Sequence, residues 1–549
     1  MMKTTKICTA RLFTDYRLPL TDYRLLLPSA SCLLPLAYCL LPLASFSQSN
    51  QNIPLNREKL LLYEKDLNNK ECTIHTSIKP FNNTKEFQAI SDSITFSKVS
   101  IIEKNKNKKS SNSISANEIL FSELGYEQAT KTKNTFLLDG GASLNATIKE
   151  KLSFNATFLA GNAYFPSYTD RFISNTNVVP GMGAAYAAKQ EYSYQYYSGY
   201  LSYSPNKIFN FQIGKDKHFW GDGYRSLFLS DVSTSYPFLK ISTTIWKIKY
   251  VSLSTWMKDV TNPSVTKNNF LNKYGTFHYL SWNATKRINV ALFESIIWQG
   301  TDSNRVRNYD VNYLNPIIFY RPVEYSLGSS DNAFLGFAFK LKIGRRQHQQ
   351  FYGQIILDEF LLKEIKAMNG WWANKQGIQL GFKSFDLFTI KNLSFQTEAN
   401  AVRPYTYSHG SVQQNYAHYN QPLAHPLGAN FAESVSFLHY RYQKWIVEAQ
   451  FLYAIYGKNK DGKNYGGNIF ESYTTRPKES DYGNKFFQGL KTNLLYTKLK
   501  VAYYLIPSAN LLAEAGVAVR QETNSVQSLS SNFFFIGIKT GTMNRYSDF

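Results

Sequence analysis

Cysteine is scarce in this chain of 549 residues, which contains four. Cys8, Cys32 and Cys39 lie in an N-terminal stretch that has the features of a leader, and only Cys72 follows it. Once that stretch is removed, an internal disulfide and a metal cluster of cysteines are both excluded. The exported chain would therefore be held together by its fold and not by covalent links.

Long apolar helices and catalytic motifs are also missing. Mean hydropathy is −0.34, which excludes a bundle of transmembrane helices. The sequence has no Gly-x-Ser-x-Gly elbow, no P-loop, no His-Glu-x-x-His motif and no nucleic-acid-binding motif. It therefore predicts a protein that is not an enzyme, with no catalytic residues, no cofactor, no bound metal and no nucleic acid as partner.

Acidic residues are outnumbered, with 39 Asp and Glu against 61 Lys and Arg and a formal net charge of +22. Residues 1–47 hold five basic and two acidic residues, so the rest of the chain carries +19. In an exported protein this charge would favour polyanions of the cell surface, namely the phosphates of lipopolysaccharide and acidic polysaccharide. Solvation of surface loops would explain the same charge.

Residues 1–47 are predicted to be a signal peptide. Basic residues precede an apolar stretch over residues 25–46, and Ser45-Phe46-Ser47 supplies a small-x-small cleavage site. The leader is unusually long and repeats itself, since Cys-Leu-Leu-Pro-Leu-Ala occurs twice. A membrane helix is the alternative, but three prolines within the stretch disfavour an unbroken span.

Residues 48–134 are polar and rich in lysine, without a clear period of two. Ile119, Leu120, Leu124 and Tyr126 suit a short helix over residues 116–129. We therefore predict a small, partly helical N-terminal segment that lies in the periplasm. A disordered tail is the alternative.

Residues 135–549 consist of short alternating runs separated by Gly, Asn, Pro or Lys. In one run Leu335, Phe337, Phe339 and Leu341 alternate with small or basic residues. A period of two predicts antiparallel strands with one apolar and one polar face. At roughly 23 residues for each strand and its connection, this stretch would hold about 18 strands.

Alternation alone does not show whether the apolar face meets a protein core or lipid. The leader and the 39 Tyr and 39 Phe favour lipid, because aromatic girdles mark both interfaces of membrane barrels. Phe534, Ile536 and Ile538 form a last alternating run, and the final Phe549 resembles the terminal aromatic of a barrel-assembly signal. The predicted fold is all-β, a transmembrane antiparallel β-barrel in the outer membrane.

One connection departs from the hairpin pattern. The strand that contains Phe209 and Ile213 runs into Trp220-Gly221-Asp222-Gly223. About twenty residues then separate it from the next strand, where a hairpin usually needs two to five. The connection keeps bulky apolar residues, and its glycines permit a positive φ or a close backbone approach. We expect it to fold inward, as a functional loop or as a packed structural one.

The same connection resembles the signature of the Wzi-type capsule-assembly family of outer-membrane β-barrels. The matching residues are Trp220, Gly221, Gly223, Ser226, Leu227, Leu229, Ser230 and Asp231. Residues 313–324 and 331–336 extend the likeness. Residues 370–375 and 403–409 are similar to a branch named RemB, which is linked to gliding motility.

The resemblance implies a surface protein that binds or retains capsule or exopolysaccharide and supports adhesion or gliding. Its N-terminal segment would close the periplasmic mouth of the barrel. We expect a monomer that contacts lipopolysaccharide and outer-membrane lipid and is inserted by the barrel-assembly machinery. The residues expected to line the lumen or bind the ligand are Trp220, Gly221, Gly223, Tyr224, Arg225, Asp231, Tyr320, Arg321, Glu324, Tyr407 and His409.

Two other functions stay open. A passive diffusion channel would share the barrel fold. A surface glycosidase would use paired carboxylates, with Glu324 or Glu359 among them, held about 5–9 Å apart. A zinc site at His409, His418 and His425 would need their loop to bring them together, and their spacing matches no zinc motif.

Overall fold

The computed structural model describes most of the chain from residue 51 onward. The described ranges are 51–93, 112–188, 191–260, 270–302, 305–314, 331–344, 348–541 and 543–549. The predicted leader lies outside the described residues, as do three predicted site residues, Tyr320, Arg321 and Glu324.

Within these residues, eighteen antiparallel strands form a closed barrel in which sequence neighbours pair with one another. The ring closes where the first strand pairs with the last, from Phe121 opposite Lys539 to Gln128 opposite Asn532. The prediction of a barrel of about 18 strands is confirmed. The strands are β1 (Ser113–Gln128), β2 (Lys133–Ile148), β3 (Leu152–Tyr164), β4 (Glu191–Tyr203), β5 (Phe209–Asp216), β6 (Tyr236–Ile245), β7 (Ile248–Asp259), β8 (Leu271–Trp282), β9 (Ile288–Gln299), β10 (Asn332–Ile343), β11 (Gln349–Leu357), β12 (Gln376–Phe385), β13 (Leu393–Val402), β14 (Phe431–Tyr442), β15 (Trp445–Lys458), β16 (Leu490–Ile506), β17 (Leu511–Asn524) and β18 (Ser528–Thr540).

The connections differ between the two ends of the barrel. At one end, which we name the turn end, strands are joined by short turns such as residues 149–151, 246–247 and 443–444. The opposite end, the loop end, carries the long connections. These include residues 217–235, 358–375, 403–430 and 459–489. In outer-membrane barrels the short turns face the periplasm and the long loops face outward.

The two faces of the wall have the polarity of a membrane barrel. On β18, Phe534, Ile536 and Ile538 are 46%, 63% and 41% exposed. On β11, Phe351 points outward while Gln350 and Gln354 are buried. Apolar side chains therefore cover the outside and polar ones line the inside, the reverse of a soluble sandwich. This confirms that the apolar face meets lipid and that the chain is an outer-membrane barrel.

The N-terminal segment occupies the lumen at the turn end. Its helices are α1 (Arg57–Leu67) and α2 (Lys85–Ser93). Asn56 starts α1 by accepting a hydrogen bond from the Lys59 amide at 2.8 Å. The helix then contacts two strands of the wall, through Arg57 to Glu448 on β15 at 2.5 Å and through Glu64 to Lys383 on β12 at 2.6 Å. The prediction of a small, partly helical N-terminal segment is confirmed, while its closing of the periplasmic mouth stays a prediction.

Two details of the sequence prediction are wrong. The helix predicted over residues 116–129 is strand β1, so the barrel begins at Ser113 and not at residue 135. The neighbours Ile119 and Leu120 suggested a helical stripe, but Ile119 points into the lumen while Leu120 and Leu124 face lipid. The strand is required because the ring closes only when β1 bonds to both β2 and β18.

The end of the chain also differs from expectation. Strand β18 stops at Thr540, and residues 543–549, which we name the C-terminal tail, turn back into the lumen. The ring of Phe549 lies 4.8 Å from that of Phe172 and is not part of the last strand. Phe549 is therefore not the last residue of the final strand, which is the position expected for a barrel-assembly signal.

Shorter elements complete the described part of the chain. None of its helices is long and apolar enough to cross a membrane. The further helices are α3 (Ser167–Thr176) and α4 (Leu362–Ala367), with 3-10 turns at Val311–Leu314, Leu387–Thr389, Val412–Gln414, Tyr473–Thr475 and Pro507–Ala509. Tyr186–Ala188 pairs with β4, and small two-stranded pairs join Ile78–Lys79 to Phe219–Trp220, Thr301–Asp302 to Arg305–Val306, and Ala417–His418 to Gln421–Pro422.

Candidate functional site

Residues 217–235, the long connection after β5, fold into the lumen. Trp220 is fully buried and pairs with Ile78 of the N-terminal segment. Its amide donates to the carbonyl of Leu229 at 2.8 Å, which folds the connection back on itself. The expectation that this loop folds inward is confirmed, and we name it the plug loop.

The apolar residues of the plug loop pack against one side of the wall. The Trp220 ring lies 5.4 Å from Tyr279 on β8, and Phe228 stacks on Phe293 of β9 at 4.6 Å with an interplanar angle of 6°. Gly336 on β10 makes room for this contact, since a Cβ there would overlap the Phe228 ring. The plug loop therefore has its own hydrophobic core inside the barrel.

Gly221 and Gly223 are required by close approach to the wall. A Cβ at Gly221 would lie 2.8 Å from Nε2 of Gln354, and one at Gly223 would overlap the carboxylate of Glu398. That carboxylate accepts hydrogen bonds from the amides of Tyr224 and Arg225 at 2.9 and 3.1 Å. The two glycines let the backbone reach these polar groups, as the sequence suggested.

Arg225 forms a buried ion-pair network. Its Nη2 lies 3.1 Å from Glu433 on β14 and 3.2 Å from Asp548 of the C-terminal tail. The Tyr224 hydroxyl donates to Asp548 at 2.8 Å. Burial opposes the charge of Arg225, but Asp548 and Glu433 outweigh it and hold its pKa well above the usual value. This network ties the plug loop, the wall and the tail together.

Asp231 also anchors the tail. It accepts hydrogen bonds from the Tyr546 hydroxyl at 2.7 Å and from the Asn544 amide group at 2.8 Å. Trp220, Arg225 and Asp231 are each at most 2% exposed. Their contacts in the structure are with the chain itself, so binding of a ligand by these three stays a prediction.

Tyr407 and His409 lie in the loop that covers the plug. Tyr407 is buried, and its hydroxyl donates to the Leu227 carbonyl at 2.7 Å. His409 lies 5.6 Å from the ring of Tyr473, and burial together with Lys375 lowers the pKa of its imidazole to about 4. Tyr407 thus supports the plug loop, while His409 packs against Tyr473, which is partly exposed.

The three histidines of the zinc alternative have different surroundings. His418 lies 3.1 Å from the amide of Lys258, and His425 lies 2.8 Å from Glu433. Among the described residues, no three His, Cys, Asp or Glu side chains are grouped to hold a metal ion. The loop places these imidazoles in separate packing roles.

Four loop-end residues form a group that we name the aromatic cluster: Trp371, Trp372, Tyr473 and Arg476. The Arg476 guanidinium lies 4.0 Å from the Trp372 ring, and Trp372 lies 4.9 Å from Tyr473. All four side chains are partly exposed. The cluster offers flat rings and a cation to a ligand that arrives from the loop end.

Loop contacts fix the backbone of the aromatic cluster. Arg403 donates from Nε to the Asn374 carbonyl at 2.8 Å. Trp372 donates its amide to the Asp481 carbonyl at 2.9 Å, and Asp481 accepts from Arg476 at 2.7 Å. Three loops therefore hold the rings in place, which limits the entropy cost of binding.

Beneath the cluster, Lys375 lies between Asp358 at 3.6 Å and Glu359 at 3.3 Å. Burial raises the pKa of Asp358, whose carboxylate accepts the Tyr407 amide at 2.9 Å. These bonds give Asp358 a structural role. The glycosidase alternative also invoked Glu324, which lies outside the described residues.

Sequence reasoning found only part of this cluster. Trp371 and Trp372 belong to the stretch that resembles RemB, but they are not among the predicted binding residues. Tyr473 and Arg476 were missed, because each stands in a polar loop without a recognisable motif. The adjacent tryptophans were the available signal, since neighbouring large rings that remain exposed often mark a binding surface.

Comparison with solved structures supports the fold. Wzi, described as a carbohydrate-binding β-barrel involved in group 1 capsule assembly in Escherichia coli, covers 90% of this chain and 100% of its own, with a TM-score of 0.53 and 12% identity. Acinetobacter baumannii OccAB2 and Pseudomonas aeruginosa OccK8 each cover 77% of this chain and 97% of their own, with TM-scores of 0.40 and 0.43 and identities of 9% and 8%. No protein-family model and no curated protein sequence matches this chain. The likeness to Wzi shows a shared barrel fold.

Proposed function

We propose that this barrel is a non-enzymatic surface protein that binds and retains polysaccharide through its loop end. The aromatic cluster carries the proposal, because Trp371, Trp372 and Tyr473 present partly exposed rings beside the cation of Arg476. Flat rings stack on the C–H face of a pyranose, and neighbouring amide and guanidinium groups bond its hydroxyls. The described fold of Wzi, a carbohydrate-binding barrel, is consistent with this role.

The predicted signature residues have a supporting part in this proposal. Trp220, Arg225 and Asp231 hold the plug loop and tail, and Tyr407 links the plug to the loop that carries His409. The packed plug loop gives the outer loops above it a rigid base. A direct ligand contact at Tyr224 or His409, a contribution of Tyr320, Arg321 and Glu324, and a role in capsule assembly, adhesion or gliding remain proposals. So do contact with lipopolysaccharide, insertion by the barrel-assembly machinery and a monomeric state.

The test replaces both indoles of the cluster, as Trp371→Ala with Trp372→Ala. We expect less polysaccharide on the cell surface and weaker binding of the purified barrel to a glycan array. Phe388→Ala is the matched control, because Phe388 is an aromatic residue at the turn end and is 81% exposed. Heat-modifiability on a gel should be the same in all three proteins.

Retention and glycan binding that equal those of the parent, in a correctly folded double variant, would contradict the proposal. Substitution of Trp220 or Arg225 is a less selective test, because both residues are buried in the plug. A change in polysaccharide after such a substitution could come from a disturbed lumen.

A further inference from the structure

A cavity of about 210 Å³ lies between the C-terminal tail and one side of the wall. Its lining includes Lys539 and Thr540 from the turn end and Pro166 and Pro180 from the loop end. A water molecule needs about 10–15 Å³ of such space. The cavity therefore has room for several water molecules between the two ends.

The lining is strongly charged. Lys500 on β16 contacts Glu58 of α1, and it lies 3.7 Å from Glu514 on β17 and 3.9 Å from Glu448 on β15. Lys539 lies 2.8 Å from Glu514. Ion pairs and polar groups of both signs along a cavity provide the partners that water molecules need, so this lining is suited to hold water.

Two lining charges stand apart from these ion pairs. Glu123 on β1 and Lys498 on β16 both border the cavity, and neither makes an ion pair within 4.0 Å in the described part of the chain. The next residue, Leu499, points the other way and is 50% exposed on the lipid face. Lys498 is thus a lumen-facing cation with a lipid-facing neighbour.

The inner boundary of the cavity is formed by the C-terminal tail together with Asn56, Arg57 and Glu58 at the start of α1 and Tyr224 of the plug loop. Met543, Arg545 and Tyr546 line it. The tail is held by side-chain contacts, from Arg545 to Asp139 on β2 and from Gln450 on β15 to Asp548 at 2.6 Å. Its one backbone bond among the described residues outside the tail, from the Asn544 amide to the Leu55 carbonyl at 3.0 Å, also lies outside the ladder of the barrel. A peptide held in this way can be removed without breaking the ladder of the barrel.

We propose that the cavity is a passage for water and small ions across the barrel, and that the C-terminal tail sets its width. The passage shares no lining residue with the aromatic cluster, so a test of conductance does not depend on whether the protein binds polysaccharide. Full-length protein in a planar bilayer should give a small, steady conductance above that of lipid alone. Absence of any such conductance would overturn the proposal.

Substituted cysteines locate the conducting path. In a background where all four cysteines are replaced by serine, Lys498→Cys should become sensitive to a small charged thiol reagent, which should lower the conductance several-fold. Leu499→Cys is the matched control on the lipid face and should keep its conductance. Equal responses of the two variants, or no response of Lys498→Cys, would show that ions do not move along the inner face of β16.

Removal of residues 543–549 tests the role of the tail. We expect the conductance to rise several-fold in a truncated barrel that still shows heat-modifiability. An unchanged conductance in a folded truncated barrel would disprove control by the tail. If the truncated chain fails to fold, Tyr546→Ala in the full-length chain removes one ring from the same boundary and widens the cavity. The conductance of this variant should rise above that of the parent.

Discussion

The lumen has two halves that are filled in different ways. In the apolar half, β6–β10 point Phe, Tyr, Val and Leu side chains inward onto Trp220 and Phe228 of the plug loop. In the charged half, β1 and β15–β18 point Lys and Glu inward onto a cavity that the tail borders. Both halves present apolar residues to lipid on the outside. The outer face is therefore set by the membrane, while the inner face is set by whatever segment lies against it.

This difference explains why some strands are apolar on both faces. A residue on β9 such as Phe293 meets the plug loop, whereas Lys500 on β16 meets carboxylates at the edge of the cavity. Because a dry core is sensitive to volume and a hydrated cavity is not, substitutions in the two halves should have unequal costs. Urea unfolding in detergent micelles measures that inequality as a difference in the free energy of unfolding.

The largest effect is expected at Arg225, where the two halves meet. Arg225→Ala leaves Glu433 and Asp548 buried without their cation. Breaking such a pair costs about 5 kcal/mol at the upper end of the usual range. Lys498→Ala is the control in the charged half and should change the free energy of unfolding by less than about 0.5 kcal/mol. Similar costs for the two variants would remove the distinction between the halves.

Phe228→Ala tests the apolar half alone. The ring is fully buried and stacked on Phe293, so its loss leaves a cavity and should cost about 4 kcal/mol. Phe351→Ala removes a ring of the same size from the lipid face, where micelle contacts replace it. We expect a clearly smaller loss in the control. A smaller loss at Phe228 than at Phe351 would mean that the plug loop is loosely packed.

Gly336→Ala measures how tightly Phe228 of the plug loop packs against β10. The added methyl group would overlap the Phe228 ring, and overpacking of this kind costs about 2 kcal/mol. Gly140 on β2 is the matched control, since a Cβ there meets nothing within 4 Å. Gly140→Ala should be neutral or slightly stabilising. A neutral Gly336→Ala would show that Phe228 can shift at little cost.

The wall could be predicted from sequence because its pattern is local. Runs such as Leu335 to Leu341 alternate regardless of what lies inside, and the leader and aromatic content then favour lipid over a soluble core. The first strand was misassigned because Ile119 and Leu120 are adjacent apolar residues on opposite faces. Its pairing with β2 and with β18, the latter more than 400 residues away, identifies it as a strand.

The interior could be predicted only in part. Trp220 and its glycines mark an inward loop within one stretch of sequence, and that expectation is confirmed. The tail and the aromatic cluster depend on distant partners, Asp231 for Tyr546 and Trp372 for Arg476. No spacing in the chain encodes these contacts, since they arise only after the barrel has closed.

The smallest effect is expected from the pH dependence of His409, above the apolar half. Burial and the neighbouring Lys375 lower its folded pKa to about 4, with Glu359 and Asp331 opposing and Lys273 adding a little. The unfolded imidazole titrates near 6.5, so as pH falls below that value the unfolded state takes up a proton that the folded state does not. Stability present at pH 7.5 is therefore partly lost at pH 5.5. His409→Gln should reduce this loss by about 1 kcal/mol, measured as the difference between urea midpoints at the two pH values. An identical pH dependence in the variant and the parent would mean that His409 is open to water in solution.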